Sequence, residues 1–536
     1  MKLSVKEIKK IVAEKKSDRS NWEALWQDIG DYIFTRKSQV ITKRTSGEDL
    51  QFHLYDNTGP QALELFAGIM MSIMMSVEEP WLEFSSGDVE IDQRDDVKKY
   101  LQKVSRVIHS VLANSNFYTE AHEMLLDVGG FGTNVFGIEE DPEEVVRFFA
   151  KFIGEAYIGE NARGKVDEIF MEYEWNPRQL LSEYGEDALP KEVKEALSKD
   201  QETEKKFKVI IGIYPVDRHT NKPNEKGHTY FSHHVMPDLN HELKVGGFNS
   251  FPYPTPRFSK ATGEIYGRSP AMVALPEVKV LNKMVEVTLA GAEKVMDPPL
   301  QAPDDGFITQ INTFPGSISF YRAGGNDRIQ PVFNDTRVDF GIQLIQEKQG
   351  KVRDAFYINQ MMIQPKSGNP ATAMEISQQV EQSMRFMGSF LARMQKEFLQ
   401  PTGDRVVDIL FKRGVLLKEE IPEILRGRKF IIRYTSFIAR AQRVGTLQNI
   451  QRFFAAIEPL VQADPSNKFY LNGSGGIKTI AGILGTPIEM LNSEEDVNKM
   501  KEAAAQAQAE AMKAEQQNNQ LDSVAKAAAA SSSMQG

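Results

Sequence analysis

Cysteine is absent from the 536-residue sequence, which excludes disulfides, thiolate zinc sites and cysteine nucleophiles outright. Histidine is scarce, at eight residues. The one group close in sequence, His228, His233, His234 and His241, matches no common zinc spacing, and on a strand His233 and His234 would face opposite sides. No glycine-rich loop runs into Lys and Ser or Thr, as phosphate binding requires. The notable glycine cluster, GGFGTNVFG from Gly129, has no lysine and leads into strand-like sequence, so it reads as a helix stop and tight turn. No G-x-S-x-G elbow occurs. Paired acids at Glu139 to Asp141, Glu143-Glu144 and Asp304-Asp305 sit in polar, turn-like runs, where solvated carboxylates are the ordinary state. The expectation is a protein that is not an enzyme and takes no cofactor and no metal.

A long hydrophobic run is also missing. The richest one, LFAGIMMSIMMSV from Leu65 to Val77, has thirteen residues. At ~1.5 Å per residue it would span roughly 20 Å as a helix, short of the ~30 Å hydrocarbon layer of a bilayer. Glu64, Glu78 and Glu79 crowd its ends without lysines to favour an anionic lipid surface, so the expectation is a buried helix and no membrane partner. The N-terminal MKLSVKEIKK lacks the apolar centre of a secretory signal, which predicts a protein that begins and stays in a cytoplasm. Positive charge is in deficit, 64 Lys and Arg against 74 Asp and Glu, for a net charge of −10. That argues against a protein that wraps nucleic acid electrostatically, while leaving open DNA passing through a neutral or acidic tunnel. One local exception stands out. Arg426, Arg428, Lys429, Arg433, Arg440 and Arg443 occur with no acid among them, suited either to DNA phosphates or to acidic surface on an adjoining subunit.

What is present is a soluble composition, 41% hydrophobic and 26% charged, in a chain long enough for two to four domains or layers. Residues 1–85 read as helices, with Trp22, Leu25, Trp26 and Ile29 at helical spacing. A second helical pattern covers 96–128, interrupted at Asn114 to Asn116 and stopping at Gly129-Gly130. Strand signals fill 135–260: VFGIEED, VVRFFAKFIGEAYIG, KVDEIFMEYEW, KVIIGIYPV and TYFSHHVM. Helices are predicted over 276–296, ended by Asp297-Pro298-Pro299, and over 338–358, with a turn-rich insert between them that carries the short strand ISFYR. After the loop MMIQPKSGNP, the positions Val380, Met384, Met387, Leu391, Met394 and Phe398 alternate in steps of four and three. They form a seam for packing against another helix, broken at Gln400-Pro401. The final segment, rich in Ala, Gln, Glu and Ser, reads as a solvated helix with a disordered end.

Read with its flanks, the methionine-rich run is YDNTGPQALELFAGIMMSIMMSVEEPWLEF. Together with GKVDEIFMEYEWNPRQLLSEYG, GEIYGRSPAMVALPEVKVLNK and the helix from TAMEI to MQKEFLQP, it resembles the portal, or head-to-tail connector, family of short-tailed, podovirus-type bacteriophages. The residues that carry the likeness include Asp56, Thr58, Gly59, Pro80, Trp81, Tyr266, Gly267, Arg268, Ser269 and Pro270. The resemblance implies an α+β, mainly α, subunit in a homo-oligomeric ring, typically a dodecamer. Such a ring sits at one vertex of the virion and is assembled in the host bacterial cytoplasm. Double-stranded DNA would pass through it, and its partners would be the terminase large subunit, a tail adaptor protein, and the major capsid and scaffolding proteins. By order along the chain, residues 1–275 would form the wing, 276–296 and 338–359 the stem helices, and 297–337 the clip. Residues 360–370 would be the tunnel loop, 371–413 a long kinked wing helix, 414–498 the crown, and 499–536 a barrel helix and disordered tail. Lys366 in MMIQPKSGNP is the first candidate for a cation lining the channel, against a solvated outer position; Lys279 and Lys283 are weaker ones, with Glu286 placed to pair within the helix. Three rivals stay open: a ring-forming tail or capsid component without a DNA channel, a metal-dependent nucleic-acid-processing enzyme, and a scaffold peripheral to membranes.

Overall fold

The computed structural model describes residues 2–42, 54–76, 81–92, 94–198, 205–217, 223, 227–296, 300–301, 330–331, 338–361, 387–416, 421–427, 431–434 and 450–460, with shorter pieces between 462 and 510. The chain divides into two compact units. The larger comprises Met1–Gly87 and Leu101–Ile438, the smaller Asp88–Tyr100 and Ala439–Gly536.

The larger unit starts with helix α1 (Val5–Asp18), whose Ser4 and Glu7 satisfy each other's backbone amides in a capping box. Its apolar face, Ile8 and Val12, lies on a five-stranded antiparallel sheet ordered β4 (Ala156–Glu160), β5 (Val166–Trp175), β6 (Phe207–Pro215), β7 (Tyr230–Met236), β8 (His241–Phe248). Tyr157, Phe170, Ile210, Tyr214 and Val235 complete that core. The run VVRFFAKFIGEAYIG is two strands rather than one: β3 (Val145–Lys151) pairs with β2 (Val135–Asp141) in a separate hairpin, and a 3-10 turn at Ile153–Glu155 turns the chain into β4. Strand β8 had no signal in the pattern reading, because its residues are mostly polar or glycine and it is an edge strand that buries little.

Helix α2 (Ser20–Tyr32) buries Trp26 and Ile29, as their spacing predicts. Helix α3 (Thr58–Met74) is the methionine-rich one. It buries Ala62, Leu63, Phe66, Ala67, Met70 and Met74, but Leu65 on its other side is 45% exposed, so the helix is core along one stripe and not all round. The following segment is a strand, β1 (Leu82–Ser85), where helix was expected. Its partner is β11 (Ile431–Tyr434), with Leu82 opposite Tyr434.

The smaller unit takes the short helix α4 (Val89–Asp92) and the first residues of α5 (Asp95–Asn114), together with helical segments 450–460 and 496–510 and α13 (Gly473–Leu484). Within the larger unit, α5 continues and is followed by α6 (Phe117–Phe131). Gly129 and Gly130 lie inside α6 and do not stop it: the stop falls at Gly132, whose φ of 81° is the left-handed cap. The two earlier glycines serve a close approach. A Cβ on Gly129 would lie 2.8 Å from Leu63 Cδ1 and 2.9 Å from Phe66 Cδ1, so any larger residue there would push both side chains out of their packing between α3 and α6.

Helix α9 (Pro270–Met296) starts six residues before the predicted 276, because Ser269 caps it and Pro270 takes the first helical position. Pro276 is carried within it. Helix α10 (Val338–Ala355) runs antiparallel to α9. Lys348 pairs with Glu277 at 2.7 Å near one end, and Gly341 approaches Thr288 further along, where a Cβ would lie 3.0 Å from the hydroxyl. At the far end a two-residue antiparallel ladder joins β9 (Leu300–Gln301) to β10 (Gln330–Pro331), so the insert opens and closes at one place. ISFYR lies outside the described residues. A short helix α11 (Ile358–Met361) follows α10.

Of the seam positions, Val380 and Met384 lie outside the described residues. Met387, Met394 and Phe398 are buried, and Phe390 is buried where Leu391 is half-buried. The expected break at Gln400-Pro401 takes the form of a π-helical turn, Gln395–Leu399, running directly into α12 (Gln400–Lys412). The wider turn relieves the backbone where Pro401 supplies no N–H.

Candidate functional site

The residues carrying the family likeness converge on the places where helices α3, α6 and α9 meet. Asn282, 4% exposed on α9, accepts the amides of Tyr55 and Asp56 on its Oδ1 at 2.9 and 3.2 Å and returns its Nδ2 to Val278 O. Asp56 then accepts the Thr58 amide at 2.8 Å at the start of α3, and Gln349 Nε2 of α10 at 2.8 Å. Gly59 lies against Val278, where a Cβ would be 3.3 Å from Cγ2. One aspartate and one asparagine thus fasten three helices.

A second knot lies at the start of α9. Gly132 and Gly267 touch backbone to backbone, so that a Cβ on either would overlap the other's carbonyl oxygen. Thr133 Oγ1 accepts the Gly267 amide at 2.8 Å, and Ser269 Oγ donates to Gly130 O at 2.6 Å while accepting the Met272 amide. Tyr266 is buried between Trp22 and Trp26, with ring centroids 5.8 and 5.3 Å away. Arg268 pairs with Glu264 and lies over the Trp22 ring at 4.8 Å. Trp81 is buried, stacks on Phe117 and donates to Tyr118 Oη at 3.2 Å. Pro80 lies outside the described residues. Around both knots runs an aromatic cluster: Phe66 with Phe258, Phe356 and Phe390, and Phe398 with Phe117 and Phe136.

Pattern reading missed a buried ion network. Arg257, 1% exposed, grips Glu397 with Nε and Nη2 at 3.1 and 2.6 Å, pairs with Glu160, and donates to the carbonyls of Ile265 and Gly164. Burial works against its charge, but the hydrogen bonds to Glu397 and the Glu397 and Glu160 charges outweigh it, holding the guanidinium pKa above its ordinary value. Glu397 is in the π-turn, so Arg257 fixes that turn to the loop entering α9. The only sequence signal was a single cation in the apolar run FPYPTPRF. A second buried carboxylate, Asp127 on α6, contacts Lys37 Nζ at 2.6 Å and Asn134 Nδ2 at 2.8 Å; burial raises its pKa to about 6 in spite of Lys37.

The histidines have structural partners. His234 meets Tyr184 and Ser232, and burial lowers it to about 4; His241 meets Ala188 O; His233 lies on the opposite face of β7, in contact with Tyr214 and Glu242. Among the described residues no group of three or more His, Asp or Glu is arranged to hold a metal ion, and no helix is long and apolar enough to cross a membrane.

The candidate cations are placed as follows. Lys279 pairs with Asp28 of α2 at 2.8 Å and lies over the Tyr32 ring, while Lys283 pairs with Glu286 at 2.9 Å within α9, as their spacing allowed. Arg426 is exposed, 3.9 Å from Glu423. Arg433 stands opposite Glu83 in the β1–β11 ladder. Lys366, Arg428, Lys429, Arg440 and Arg443 lie outside the described residues.

The described residues thus form a sheet-bearing body and a helical pair whose far ends are joined by a small ladder. Residues 5–491 match the family described as bacteriophage head to tail connecting protein, and the chain belongs to that family. Its function is that of a phage portal. The probable portal protein of Bordetella phage BPP-1 is 27% identical over 530 residues, covering 97% of this chain and 94% of that protein. The portal protein of Salmonella phage epsilon15 is 27% identical over 510 residues, covering 93% and 91%.

Proposed function

We propose that copies of this portal chain close into a ring of about twelve at one capsid vertex, assembled in the host cytoplasm, with double-stranded DNA passing through the centre. The observation that carries the reading is the exposed edge of α9. Val273, Val280 and Val287 recur every seven residues and are 69%, 46% and 58% exposed, a stripe that an isolated subunit leaves in water and a neighbouring copy would cover. In this reading α9 and α10 are the stem and the insert between β9 and β10 is the clip, facing the terminase large subunit during packaging and the tail adaptor afterwards. The sheet-bearing body is the wing and residues 414–498 the crown, with capsid and scaffolding proteins outside. No enzymatic step is assigned to the chain.

Cyclic symmetry repeats every lumen-facing side chain in each subunit, so one lysine becomes a ring of charge. Lys366 is assigned to the channel because it is a lone cation in a Gly- and Pro-containing loop ahead of the long helix. Light scattering on the purified protein tests the ring: twelve chains of 60.5 kDa give about 0.7 MDa. A monomer at every salt and scaffold concentration would overturn it. Particles built with Lys366→Glu should retain DNA less well, and unchanged retention would remove that residue from the channel.

A further inference from the structure

The histidine group that sequence reading set aside from metal binding has an arrangement of its own. His233 has no exposed surface, on β7 beneath the start of α1. Its Nε2 contacts Glu242 Oε2 of β8 at 2.9 Å and its Nδ1 contacts Tyr214 Oη of β6 at 3.2 Å. Leu3 N–H donates to the same Tyr214 oxygen at 3.1 Å, and Lys2 Nζ donates to Glu242 at 2.9 Å. The loop is closed, running from the N-terminal residues through two strands to a third and back.

With His233 neutral and its proton on Nε2, every hydrogen bond in the loop has a donor and an acceptor. Leu3 N–H donates to Tyr214, Tyr214 O–H donates to Nδ1, Nε2–H donates to Glu242, and Lys2 donates to Glu242. A proton added at Nδ1 sets two donors against each other between His233 and Tyr214. The Tyr214 hydrogen must leave that position, and the phenol oxygen that receives Leu3 is reoriented. Two cations, Lys2 and His233, then share one carboxylate.

We propose that this relay is a proton-sensitive clasp, which holds the first residues of the chain and the N-terminal turn of α1 to the sheet when His233 is neutral and releases them when it is protonated. The charged and titratable groups facing His233 are Lys2 from the N-terminal segment, Tyr214 from β6 and Glu242 from β8, with His234 next along β7. Burial holds His233 below the ordinary histidine range against the pull of Glu242, so the clasp is shut at neutral pH and opens below it. His234, lowered to about 4, stays neutral over the same interval.

The test is hydrogen exchange of the N-terminal peptide in the full-length protein at pH 7.5 and pH 5, corrected for the intrinsic chemical rate. Exchange in residues 3–8 should rise roughly five- to tenfold at pH 5, the effect of losing one net hydrogen bond. In His233→Asn, whose side-chain oxygen takes the place of Nδ1 as acceptor, the pH dependence should vanish. Tyr214→Phe, which keeps the ring that packs on Phe170, should exchange fast at both pH values. Equal protection of the wild type at both pH values would overturn the clasp, as would a pH dependence that survives in either variant.

Discussion

Two regions of the larger unit treat apolar surface in opposite ways. Where α3, α6 and the start of α9 meet, contacts close to the backbone itself: Gly129 admits Leu63 and Phe66, Gly132 touches Gly267, and Phe66 and Phe390 are buried with Phe258 half-buried against them. Along the outer side of α9 and on α10, Val273, Val280, Val287, Leu289 and Phe340 are exposed. The first region is finished within one chain. The second, in the ring proposed above, would be finished by another copy, leaving the single subunit folded but with a defined face for association.

Substitutions that separate the two regions should differ in kind as well as size. The largest loss is expected from Gly132→Ala, which combines a left-handed backbone with a Cβ driven into the Gly267 carbonyl; about 3 kcal/mol or more should appear in the denaturant midpoint. Arg257→Met should cost less, about 2 kcal/mol, because Glu160 and Glu397 stay largely buried and keep only the more exposed cations Lys260 and Arg393. Adding Glu397→Gln to it should recover part of that loss, and a further loss would mean the network is not the cause. Asp127→Asn tests a smaller, pH-dependent effect. The folded pKa is raised above the unfolded one, so the stability linked to protonated Asp127 is complete below about pH 4 and lost as pH rises through about 6. The wild type should therefore lose stability relative to the variant between those values and run parallel to it above pH 7, as chemical denaturation at several pH values will show. Least of all should follow, for the single subunit, from Val280→Asn with Val287→Asn. Unfolding should shift by about 0.5 kcal/mol or less, while the assembled mass falls. A large stability loss with intact rings would reverse the comparison.

Periodicity made much of this fold legible. Helices α2, α3 and α5 and four strands of the large sheet appear where spacing of apolar residues put them, because each buries one face against its own neighbours. What stayed hidden depended on partners distant in sequence. Strand β1 becomes a strand only because residues 431–434 pair with it, and nothing within Leu82–Ser85 announces that. Gly129-Gly130 carries the same local signal as a helix stop; only the arrival of α3 turns it into a packing surface. Arg257 looked incidental because its carboxylates lie 97 and 140 positions away. The signature residues were visible as a family likeness, but their work as fasteners of α3, α9 and α10 required Asn282, which sits near the end of the stretch GEIYGRSPAMVALPEVKVLNK without being singled out there, and Gln349, which no motif marked.

The contact between Gly132 and Gly267 has a consequence for the history of such chains. Side chains that touch can drift together, one growing as the other shrinks, but two backbones in contact have nothing to trade. The turn after α6 and the entry to α9 are thereby bound into a single inherited unit. Lineages that reshape the surrounding loops or the insert between α9 and α10 are expected to pass that pair of glycines on together, and a chain that has lost one should have rebuilt the junction altogether.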